Sequence, residues 1–160
     1  TGSGCILLSI LKERPNFYGT GIDISKKSIN VSKFNAQKLN LMNRVKFFHS
    51  SVDNFKIGKY DMIVSNPPYI ELSDLKYLEK DVVNFEPKLA LNGGFDGFSK
   101  IRRVINRASN LIKKNGKFIL EIGCNQKNKV KTILKKEGFY VNLTIKDYGN
   151  NDRCIISTKI

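Results

Sequence analysis

Short runs of β-branched and aromatic residues alternate along the chain with longer stretches whose apolar positions recur every three or four residues. The runs Phe17–Ile22, Val45–Phe48, Tyr60–Val64, Lys117–Ile122, Tyr140–Lys146 and Arg153–Thr158 are predicted strands. Cys5–Glu13, Ser25–Leu41, Phe98–Lys114 and Gln126–Glu137 are predicted helices. This alternation predicts an α/β fold on a largely parallel sheet. The clearest helix places Phe98, Ile101, Val104, Ile105, Ala108, Leu111 and Ile112 on one arc. Lys100, Arg102, Arg103, Asn106, Arg107, Asn110 and Lys113 lie opposite, as expected of a helix resting on a sheet. Asn115-Gly116 reads as its left-handed stop. The Ser25–Leu41 helix has a poorer stripe and leans on Ser25 as cap. Cys5–Leu11 is apolar nearly all round, which predicts burial on several sides. The last two strands form a predicted hairpin about the turn-rich string Asp147-Tyr148-Gly149-Asn150-Asn151-Asp152. From Asn66 to Asp96 no periodicity holds, and Pro67, Pro68, Pro87 and Gly93-Gly94 mark a long functional loop.

A length of 160 residues suits one domain spanning 1–160, and 41% apolar with 26% charged residues is globular composition. No apolar run reaches the roughly 18–20 residues that cross a bilayer, so no membrane partner is expected. Net charge is +14, from 28 basic and 14 acidic residues. Clustered bases suit a polyanion, but they are scattered and dominated by Lys, which also suits a solvated surface. Cys5, Cys124 and Cys154 are odd in number and widely spaced, as expected of reduced thiols filling small apolar gaps in a cytoplasmic protein. His49 stands alone, so no metal site is expected.

Two strings carry chemistry. Thr1-Gly2-Ser3-Gly4 precedes a helix, where glycines admit close approach and free amides favour polar or anionic groups. It is either a ligand loop or simply a turn. Asp23 ends the following strand, placed either to bond a ribose diol or to cap the next helix with Ser25. The second string is Asn66-Pro67-Pro68-Tyr69, directly after Asp61-Met62-Ile63-Val64. Tandem prolines lock φ, remove two donors and force the preceding residues to be extended. The Asn66 oxygen and main-chain carbonyls become fixed acceptors for a planar –NH₂ group, amide or exocyclic base amine, and Tyr69 offers a flat face.

With Thr1–Gly4 and Asp23, this string resembles class I S-adenosylmethionine-dependent methyltransferases acting on planar –NH₂ nitrogens. Three further stretches narrow the resemblance. They are Phe85-Glu86-Pro87-Lys88-Leu89-Ala90-Leu91 running into Gly93–Gly97, Glu121-Ile122-Gly123 with Gln126, and Lys146–Arg153. Together, and in order, they are similar to the HemK/PrmC family, the peptide chain release factor N5-glutamine methyltransferases. The resemblance implies a Rossmann-like sheet, mostly parallel with a C-terminal antiparallel hairpin, and S-adenosyl-L-methionine as cofactor. It implies that Thr1, Gly2, Ser3 and Gly4 hold the cofactor and that Asp23 takes its ribose. Positions 51 and 52 would flank its adenine, and here they are Ser51 and Val52. Asn66 and the Pro67 carbonyl would accept both hydrogens of the substrate amide beside Pro68, with Tyr69 packed on it and Asn66 also near the cofactor. The partner would be a class 1 release factor, methylated on the glutamine of its Gly-Gly-Gln motif.

Family members carry a helical domain and a first strand ahead of the glycine loop, so the chain is expected to be cut at its front and, as given, to aggregate or bind cofactor poorly. Two other functions fit less of the sequence. A nucleic-acid amino methyltransferase, acting on adenine N6 or guanine N2, suits the positive charge but lacks room for a target-recognition domain. An inactive remnant suits the missing strand and Ser51-Val52.

Overall fold

The structure is a computed structural model that describes residues 1–73 and 91–160. The stretch Phe85–Ala90, which contributes to the resemblance, lies outside the described residues. Two compact units follow one another, Thr1–Lys56 and Ile57–Ile160.

The first unit runs α1 (Cys5–Glu13), β1 (Gly19–Asp23), α2 (Lys26–Lys38), a 3-10 turn (Met42–Arg44) and β2 (Val45–His49). β1 and β2 pair in parallel from Gly19 opposite Val45 to Asp23 opposite His49. Leu8 and Leu11 of α1 meet Ala36, Leu41 and Val45 in a small core. α1 presents only that stripe. Ile6 is 48% exposed and Cys5 lies in solvent, so the expected all-round burial does not occur. Leu7 packs half-buried beside that core, whereas Cys5 and Ile6 stay exposed within this unit.

α2 begins as expected, with the Ser25 hydroxyl accepting from Ser28 N at 3.2 Å. It ends at Lys38 rather than Leu41, because Asn40 turns left-handed at φ 57°. Leu41 N then bonds Ala36 O and Asn40 N bonds Gln37 O, a Schellman closure that returns Leu41 to the core. Ser25→Ala should lower stability by about 1 kcal/mol, read as a shifted denaturant midpoint with unchanged slope.

The second unit runs β3 (Tyr60–Ser65), α3 (Ser99–Leu111), β4 (Ile112–Glu121), α4 (Lys127–Lys136), β5 (Phe139–Lys146) and β6 (Asp152–Lys159). Its sheet has the order β3-β4-β6-β5. β3 and β4 are parallel, whereas β6 runs antiparallel to both β4 and β5. The hairpin closes where Asp147 N bonds Asn151 O at 2.9 Å. α3 packs on β3 and β4, and α4 on β5 and β6. Ile101, Ile105, Phe118, Leu120, Val130, Leu134 and Ile155 are sealed from solvent.

The apolar arc of α3 is as predicted, but the helix stops at Leu111, three residues before Lys114. Ile112 is already extended, buried and paired with Tyr60. The next paired couple is Met62 with Lys117, so residues 113–116 form an irregular bulge in β4. Asn115 is left-handed at φ 64°, yet it serves that bulge and not a helix end. Among the described residues no helix is long and apolar enough to cross a membrane. All three cysteines are free thiols, and only Cys154 is half-buried, so the filler role fails for exposed Cys5 and Cys124.

Candidate functional site

At the carboxyl end of the β1–β2 pair the glycine loop is fastened to Asp23. Gly4 N donates to Thr1 O at 2.9 Å, closing a tight turn in which Gly2 and Gly4 both have positive φ, at 57° and 84°. Asp23 Oδ2 accepts from the nitrogens of Thr1 (3.0 Å) and Gly2 (2.9 Å), and Oδ1 accepts from Ser25 N at 2.8 Å. Burial alone would raise the Asp23 pKa. The donors from Ser25, Gly2 and Thr1 outweigh burial and hold the carboxyl below its ordinary value. The bracing of the helix start is thus seen directly in the Asp23 geometry. It braces the loop and the start of α2, and Oδ1 keeps a lone pair for a hydroxyl.

Ser3 O is held by Asn35 Nδ2 at 2.9 Å, a fastening from α2 that no local spacing announces. The first-turn amides of α1 have no side-chain cap and so stay available as donors. Beside Asp23, Ser50 N bonds Asp23 O at 2.9 Å. The chain then enters a turn in which Ser51 Oγ accepts from Asn54 N at 3.2 Å. Val52 sits half-buried in that turn. Thr1–Gly4, Asp23 and Val52 thus gather at one end of the parallel pair, where ligands bind in open α/β sheets.

In the second unit Asn66-Pro67-Pro68-Tyr69 leaves the carboxyl end of β3. Asn66 is exposed and Pro67 buried. Among the described residues neither the Asn66 side chain nor the Pro67 carbonyl makes a hydrogen bond. Tyr69 is the anchored end. Its carbonyl accepts from Gln126 Nε2 at 3.1 Å, and its hydroxyl lies 3.4 Å from Arg153 Nη1. Burial first, then the charge of Glu121, raises the Tyr69 pKa against the pull of Arg153, so the ring stays a neutral phenol.

The backbone after Tyr69 is also pinned. Ile70 N bonds Leu91 O (3.2 Å), Gly93 N bonds Ile70 O (2.8 Å) and Leu72 N bonds Gly94 O (3.1 Å). A Cβ on Gly93 would stand 2.8 Å from the Tyr69 Cα and carbonyl carbon, both immobile backbone. Gly93→Ala should therefore cost about 1–3 kcal/mol by overpacking, measurable by urea titration.

Parallel strands with a braced glycine loop at one carboxyl end and an acceptor-bearing diproline corner at another define a Rossmann-like fold of the class I methyltransferase type. Solved structures agree with that fold. A ribosomal protein L11 methylase from Lactobacillus delbrueckii subsp. bulgaricus aligns with TM-score 0.71 at 18% identity, over 100% of this chain and 67% of that one. TrmN from Thermus thermophilus aligns with TM-score 0.68 at 18% identity, over 100% and 42%. The chain belongs to the family described as a methyltransferase domain, which matches residues 1–156. A protein named release factor glutamine methyltransferase from Clostridium acetobutylicum is 40% identical across 99% of this chain and 57% of its own length. One named bifunctional methyltransferase from Rickettsia bellii is 38% identical across 97% and 28%. The chain thus spans about a quarter to somewhat over half of these relatives.

Proposed function

We propose that this chain transfers a methyl group from S-adenosylmethionine to the side-chain amide nitrogen of the Gly-Gly-Gln glutamine in class 1 peptide chain release factors. One observation carries the reading. Among the described residues Asn66 and the Pro67 carbonyl are left without hydrogen bonds, directly after β3, in a corner held through Tyr69. Similarity to named release factor glutamine methyltransferases over nearly the whole chain supports the choice of amide.

Thr1–Gly4 and the uncapped amides of α1 suit the polar groups of the cofactor. Asp23 Oδ1 suits a ribose hydroxyl, and half-buried Val52 suits a flat base. When bound, the sulfonium supplies an activated methyl group, so an unassisted amide is asked only to be well placed. An amide nitrogen is a poor nucleophile because its lone pair is delocalised into the carbonyl. Asn66 and Pro67 oxygens, by accepting both N–H bonds, orient that nitrogen and stabilise positive charge as it develops. The N–C bond would form as the S–C bond breaks, and one of the two N–H protons would pass to solvent. Pro68 keeps the corner rigid, and Tyr69 provides an apolar wall for the carboxamide plane. The reaction belongs to the cytoplasm, where release factors act.

Labelled methyl donor supplied to the full natural protein with release factor, DNA or rRNA tests this. Label on the Gly-Gly-Gln glutamine is expected. Label on nucleic acid instead would move the substrate to a base amine, the alternative that the positive charge favours. No label on any of the three overturns methyl transfer.

A further inference from the structure

From the geometry around Tyr69 we infer that Gln126 and Arg153 are positioning residues for the transfer, holding Tyr69 at both ends and so fixing where the Asn66 and Pro67 oxygens point. This rests on the reaction proposed above and adds to it the residues that aim the acceptors.

Gln126 is 7% exposed, and every polar atom of its carboxamide is used. Oε1 accepts from Gly123 N at 3.0 Å, while Nε2 donates to Tyr69 O at 3.1 Å and Gly97 O at 3.2 Å. One side chain therefore ties the end of β4, the Gly93–Gly97 loop and the diproline corner together. The fit is tight, since a Cβ on Gly97 would come within 2.8 Å of Tyr69 O and 3.0 Å of Gln126 Nε2. Glutamate in this place would set a carboxylate against two carbonyl oxygens.

Arg153 grips the other end. Its Nε and Nη2 donate to Asp147 Oδ2 at 3.0 and 2.9 Å. Its Nη1 lies 3.2 Å from Ile122 O and 3.4 Å from the Tyr69 hydroxyl. The guanidinium carbon stands 6.0 Å from the Tyr69 ring centre. Asp147 is itself fixed, with Oδ1 accepting from Asn151 N at 3.0 Å. A planar fork makes this bracket, whereas an ammonium cannot. Two prolines separate Tyr69 from Asn66, and their locked φ leaves little slack. An error in the placement of Tyr69 is therefore passed to the acceptors.

Gln126→Glu and Arg153→Lys test the inference, each alone and combined with Asn66→Ala. Misplaced acceptors should lower kcat for glutamine methylation by about 10- to 100-fold, with cofactor affinity within about twofold of the parent. In the Asn66→Ala background the same changes should cost several-fold less than in the parent, because one of the two acceptors they aim is already gone. Hydrogen exchange at Ile70 and Gly93 should speed up by about tenfold or more while the amides of α3 keep their protection. Losses that multiply across the two backgrounds, or exchange at Ile70 and Gly93 that does not change, overturn the inference. A parent protein that methylates no glutamine would overturn the proposed reaction instead. The exchange measurement needs no substrate and still decides whether these residues hold the corner.

Discussion

Asn66→Ala should slow methyl transfer by about 10²–10³-fold, the loss of one preorganised polar partner at a reacting centre. Its unfolding transition should stay where it is. That pairing is unusual for a residue next to a half-buried strand and follows from two facts. Asn66 is exposed, and it makes no hydrogen bond among the described residues, so the native state does not depend on it. Single-turnover rates and urea midpoints, measured on the same preparations, check both halves. A variant with near-normal rates would remove Asn66 from the reaction. One that unfolds early would show that the side chain braces the loop.

Phe118→Ala should have the opposite signature, a loss of about 3–5 kcal/mol in stability. Phe118 is fully buried in β4, and its ring centre lies 5.4 Å from that of Phe139, which is 1% exposed. Truncation removes one of the two largest sealed side chains of the sheet and leaves a cavity that a ladder paired on both sides cannot easily close. Equilibrium denaturation reads the loss directly. A cost near that of an exposed position would mean that β4 is not the centre of this core.

Sequence periodicity captures the elements because it is local. The stripe from Phe98 to Leu111 and the β-branched runs each carry their own evidence, and the turn residues of the last hairpin do likewise. Errors cluster where distant residues decide the outcome. Asn115 is left-handed as expected, but whether that ends a helix or bulges a strand depends on the pairing of Ile112 with Tyr60, 52 residues away. The apolar character of α1 likewise says nothing about how many neighbours arrive to cover it.

The same division runs through the candidate site. Asn66-Pro67-Pro68-Tyr69 and Thr1–Gly4 are contiguous strings, and their rigidity and free amides are visible in the residues alone. The hold of Gln126 and Arg153 on Tyr69 acts across separations of 57 and 84 residues. No spacing rule covers such a distance. Gln126 and Arg153 enter the sequence reading as the first residues of a predicted helix and strand and within stretches that carry the resemblance, with no chemical role attached. Asp23 shows the intermediate case. Its place at the end of the strand suggests either a helix cap or a ligand contact, and the carboxylate has one oxygen with two donors and the other with one.

The reach from Tyr69 to Arg153 also orders events during synthesis. A ribosome adds the intervening 84 residues in about 4–17 s at typical elongation rates, and through that interval the corner has been made without its clamp. β3 waits as well, since its partner β4 begins at Ile112, 52 residues after Tyr60. Arg153 can meet the Tyr69 hydroxyl only once the intervening residues are made, so in a nascent chain the corner stands for a time without the guanidinium beside it.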